Sequence, residues 1–140
     1  MLKAMMTMVV LGAGILGQGE GAMAGTRIVI ASAWGSVAAE LEDNAAARGL
    51  VAQLPLTIDM SDHLRQEKTG MLPGDLPKTP RQRAFSKGLL GLWSARDFVI
   101  YYRDGTVPSP GIVPLGRVTG DVSIFDRPGP VTVTITQATD

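Results

Sequence analysis

Four side chains able to do acid–base or ligand chemistry fall close together: Asp59, Asp62, His63 and Glu67. A zinc site needs three or four well-placed ligands. Asp62 and His63 are neighbours, so on a strand they point to opposite faces and converge only in a loop. The group reads as a polar surface loop, and no metal is assigned to it. His63 is the one histidine and there is no cysteine. These two counts exclude mechanisms that need two imidazoles, disulfide frameworks and thiolate metal sites. No serine stands in Gly-x-Ser-x-Gly. Gly12, Gly14 and Gly17 match the spacing of a dinucleotide fingerprint, but no strand precedes them, so no cofactor is expected. Lys78, Arg81, Arg83 and Lys87 lie in one segment with only Asp75 against them. The segment reads as a solvated loop; the alternative is a surface for an acidic ligand or an anionic partner.

Some element must hold these residues in place, and composition limits which. The chain has 140 residues, with 13 Lys and Arg balanced by 13 Asp and Glu. A neutral chain lacks the basic face that displaces phosphate counterions, so nucleic acid is not an expected partner. Hydrophobic residues at 45% are enough for a packed core. Residues 1–24 differ from the rest. Lys3 is followed by an uncharged, largely apolar run from Ala4 to Leu16, then by Ala22-Met23-Ala24. A positive start, a short apolar stretch and small residues at the cleavage point describe a secretory signal peptide. The run is shorter than the ~20 residues that span hydrocarbon, so no permanent membrane span is expected after cleavage; a retained anchor is the alternative. The chain then divides into a leader, 1–24, and one domain, 25–140, exported to a periplasm or the cell exterior.

Within that domain, Ile28-Val29-Ile30 and the alternating Val37, Ala39 and Leu41 predict an opening hairpin. Asp43 and Asn44 are suited to cap a helix whose apolar face is Ala47, Leu50, Val51 and Leu54, ended by Pro55. Leu56, Ile58 and Met60 alternate with polar residues and predict a strand. Ser61 to Lys68 reads as a polar connection, Thr69 to Leu72 as a short strand, and Pro73 to Gly88 as a loop. Phe98, Ile100 and Tyr102 oppose Val99 and Tyr101, a strand apolar on both faces and so expected in the centre. Ile112 to Val118 makes another strand, and Val131, Val133 and Ile135 alternate with threonines in the last. Seven or eight short strands and one helix are best satisfied by closing the sheet into a barrel, which removes exposed edges.

Three stretches resemble the small bacterial cyclophilin-like proteins. Leu41-Glu42-Asp43-Asn44 running to Leu54-Pro55-Leu56 is similar to the family's opening. Glu67-Lys68 through Leu72-Pro73 is similar to the following element. Phe98 to Asp104 with Leu115-Gly116-Arg117-Val118 is similar to the closing part. The resemblance implies a mainly β fold, a closed cyclophilin-like barrel of about eight strands with one short helix. It also implies a possible activity, cis–trans isomerisation of X–Pro bonds. That activity needs an apolar pocket for the proline and a cation near the twisted amide. Arg65 is then the catalytic candidate, with Trp93, Phe98 and Tyr101 as ligand-binding walls. Ordinary cyclophilins carry Phe-His-Arg and Gln-Gly-Gly-Asp motifs. Here His63-Leu64-Arg65-Gln66 lacks the Phe, and no Gln-Gly-Gly-Asp follows. The expected function is a module binding a proline-containing peptide or a small ligand, without a complete isomerase site. A divergent prolyl isomerase using Arg65 is the alternative.

Overall fold

The structure, a computed structural model, describes residues 25–139. The leader expected over 1–24 lies outside the described residues. Strand β1 (Arg27–Ser32) and β2 (Gly35–Leu41) form the opening hairpin, paired from Arg27–Glu40 to Ser32–Gly35. Helix α1 (Ala45–Gln53) follows, then β3 (Leu56–His63), β4 (Glu67–Met71), β5 (Ala84–Phe85), β6 (Leu89–Leu92), β7 (Asp97–Tyr101), β8 (Gly105–Thr106), β9 (Val113–Val118) and β10 (Val131–Gln137). Eight of these close an antiparallel barrel in the order β1-β10-β3-β4-β7-β6-β9-β2, and β5 pairs with β8 in a separate two-stranded ribbon.

Period-two alternation decides which side chains fill the barrel. Val131, Val133 and Ile135 of β10 point inward while its threonines face solvent. Leu56, Ile58 and Met60 of β3 do the same. Strand β7 is buried on both faces, as its sequence requires. Phe98 and Ile100, with Tyr102 just beyond the strand, join the main core. Val99 and Tyr101 join a second cluster with Phe85, Leu89, Val107 and Ile112. The β5–β8 ribbon covers this outer face.

Helix α1 closes one end of the barrel. Asn44 is its N-cap, and the side-chain oxygen accepts from Ala47 N at 2.8 Å. Thr79 Oγ1 accepts from Ala46 N at 3.0 Å. A nine-residue helix is marginal alone, so burial of Ala46, Ala47 and Leu50 must hold it. Gly49 brings the following loop close. A Cβ there would come within 2.7 Å of Pro77 Cδ.

Two sequence expectations need correction. Ser61 to Lys68 is no loose polar connection: β3 runs on to His63, and β4 begins at Glu67 after a tight turn. Leu64 and Arg65 in that turn both adopt left-handed backbone, at φ 55° and 50°. The polar composition misleads because Glu67 and Lys68 are both fully buried, which a strand tolerates only when their partners are supplied from elsewhere. The expected loop from Pro73 to Gly88 also contains β5, whose only strand partner is the two-residue β8.

Candidate functional site

Strand direction sorts the candidate residues between the two ends of the barrel. β3 leaves the helix end at Leu56 and reaches the far end at His63; β4 returns from Glu67 to Met71. Arg65 sits in the turn between them, at the far end from α1.

A charged network is built there. Lys68 is fully buried, yet all three ammonium protons have acceptors: Asp62 Oδ1 at 2.8 Å, Gly129 O at 2.9 Å and Arg127 O. The ammonium also lies 5.0 Å from the Trp34 ring centroid and 5.7 Å from that of Tyr102. Tyr102 donates to Asp62 Oδ1, and Arg65 donates to the Tyr102 oxygen and to Asp126 Oδ1 at 3.0 Å. Arg103 donates to the same Asp126 oxygen at 3.0 Å. Burial pushes the Asp62 carboxyl upward, but hydrogen bonds from Lys68 and Tyr102 and the charges of Lys68 and Arg65 together hold it below the ordinary value of 3.8. Burial, followed by the bond to Asp62, pushes the Tyr102 hydroxyl above the usual tyrosine range.

Each of the other candidates is placed differently. Phe98 is fully buried in the main barrel core. Tyr101 belongs to the outer cluster, where Phe85 stacks on it with ring centroids 3.9 Å apart. Its hydroxyl is buried without a hydrogen-bond partner, and burial together with the nearby Glu67 charge pushes its pKa up. Trp93 packs on the edge of this cluster and donates from Nε1 to Glu67 Oε2 at 3.0 Å. Trp93 and Tyr101 therefore belong together around Glu67, while Phe98 and Arg65 stand apart from them. The carboxylates first grouped with His63 diverge: Asp59 accepts from Thr132, Asp62 from Lys68, and Glu67 from Trp93 and Gln66. Among the described residues, no group of three or more His, Asp or Glu side chains is arranged to hold a metal ion.

Sequence reasoning did not find the open groove at the helix end. It has a volume of about 440 Å³ and is lined by Leu76, Pro77, Lys78, Thr79, Arg81, Leu92, Ser94, Ala95 and Val113. Leu76, Leu92 and Val113 are its buried apolar floor. Arg81 fixes the rim, donating to the carbonyls of Leu92, Trp93, Ser94 and Gly111 and so tying the loop to β6 and to the residues before β9. The second arginine of the basic segment is also tied down, with Arg83 Nε donating to Val107 O at 2.9 Å. The sequence signals for this groove were the prolines after Leu72 and the glycine in α1, but neither names its partner.

A closed eight-stranded antiparallel barrel with one capping helix is a cyclophilin-like architecture. The sequence model of the cyclophilin-like family matches residues 30–136, and the chain belongs to that family. Among solved structures it is similar to the solution structure of the hypothetical protein AF2241 from Archaeoglobus fulgidus. The TM-score is 0.64 at 12% identity, over 81% of this chain and 95% of that one. That likeness concerns the fold alone. A search of the curated proteins found no match.

Proposed function

We propose that this cyclophilin-like domain is a binding module for a small ligand or a short, proline-containing peptide, and that it does not catalyse isomerisation. The observation that carries the reading is the separation of the open groove from the candidate catalytic cation. The groove lies at the helix end, while Arg65 lies at the other, a strand of five residues away, or ~16 Å. Arg65 already serves Asp62, Tyr102 and Asp126, and Tyr101 and Phe98 are buried, so none of the three is free to form a proline pocket. Binding needs only the concave apolar floor and a few polar groups at its rim.

The test is a protease-coupled isomerisation assay on a proline-containing peptide, with the same peptide titrated into isotope-labelled protein. The expected result is the uncatalysed rate, with amide shifts confined to the groove. Catalysis that disappears in Arg65→Ala overturns the reading in favour of the divergent isomerase. Export is part of the same proposal and rests on the leader pattern of residues 1–24. Among the described residues no helix is long and apolar enough to cross a membrane. Protein recovered from an exporting host is expected to begin at Gly25, which intact mass measurement checks.

A further inference from the structure

We propose that the groove takes a small organic monoanion, an apolar body bearing one carboxylate, and that Lys78 selects it. The inference rests on the binding reading above and adds the ligand's charge. Two cations line the groove, Lys78 and Arg81, and no carboxylate does. Arg81 donates only to backbone carbonyls, which are neutral acceptors, so no counter-ion cancels its charge. The whole chain is neutral, which makes this local excess of positive charge a property of the site.

The remaining polar groups narrow the recognition further. Thr79 Oγ1 is engaged by Ala46 N and by Pro77 O, and Ser94 Oγ donates to Asp97. Arg81 Nη1 is spent on the carbonyls of Leu92, Trp93 and Gly111, and Nη2 reaches Ser94 O at 3.4 Å, which pins the guanidinium against the loop. Among the described residues, Lys78 has no hydrogen bond or ion pair. It is therefore the lining cation whose ammonium has no competing acceptor, placed to make a direct charge-assisted bond, with the pinned Arg81 guanidinium contributing field. A single ammonium acts as a point charge and suits a single carboxylate. Leu76, Leu92 and Val113 accept the apolar body.

Hexanoate and its uncharged counterpart hexanamide, titrated into the full chain and followed by amide chemical shifts, separate the claims. Hexanoate is expected to shift the amides of Leu92 to Ala95 and Val113 and to weaken with added salt. Hexanamide should bind about tenfold less tightly, and Lys78→Ala should weaken hexanoate by a similar factor, the scale of one charge-assisted bond. Lys87→Ala, in the same segment but outside the groove, should leave binding unchanged. Equal binding of the two probes, or hexanoate binding indifferent to Lys78→Ala, overturns the anion inference and leaves the binding module standing. If neither probe shifts the groove, the anion inference fails, and the peptide titration described above decides the binding reading separately.

Discussion

Lys68 shows how far one residue can depend on distant chain. A buried ammonium without acceptors would cost several kcal/mol, and here Asp62 and the carbonyls of Arg127 and Gly129 take all its protons. Replacing it with methionine keeps most of the volume but leaves those two carbonyls and part of Asp62 unpaired. Lys68→Met is expected to lose about 3–5 kcal/mol, a large share of the roughly 5–15 kcal/mol that holds a domain together. Urea unfolding monitored by tryptophan fluorescence measures it. A loss below about 1 kcal/mol would show that the ammonium gains little from these partners. Nothing local marks Lys68 as buried. Its partners at 127 and 129 are brought in by the turn before β10.

Helix α1 carries a glycine where a better helix former would ordinarily stabilise. In an exposed helix, Gly49→Ala gains up to about 1 kcal/mol. In this chain the new Cβ would meet Pro77 Cδ at 2.7 Å and Leu76 Cδ2 at 3.3 Å. A proline ring is held at the backbone, so the loop carrying the groove must move. The expected outcome is a net loss of about 1–3 kcal/mol, as for other overpacked sites, together with weaker ligand binding. Thermal unfolding and a probe titration on the same variant check both halves. A stabilised variant with unchanged binding would show that the loop yields freely.

At the scale of the whole molecule, stability should have a plateau bounded by its two polar clusters. Asp62 titrates below its unfolded value of 3.8, so its contribution is complete above that pH and is lost as the pH falls through the folded value. Hydrogen bonding to Arg103 holds Asp126 low as well, despite some upward pull from burial, so the two act in the same direction. Tyr101 and Tyr102 are raised above 10.0 by burial, reinforced by the Glu67 and Asp62 charges. Their contribution is present below that value and is lost at higher pH. Denaturation midpoints measured across pH should be flat between about 4 and 10 and should fall on both sides. A midpoint that rises on acidification below 4 would contradict the Asp62 network. Alternation along β2, β3 and β10, the doubly apolar run of β7 and the Asn44 cap were enough by themselves to point to a mainly β fold with one helix, and the number of short strands to a closed barrel. Both signals are local, because strand faces repeat every two residues and a cap acts within one turn. The groove, the burial of Glu67 and Lys68, the cover over Tyr101 and the partners of Arg65 were decided only by the tertiary structure. Each depends on groups that become neighbours only when the barrel closes and brings together segments tens of residues apart.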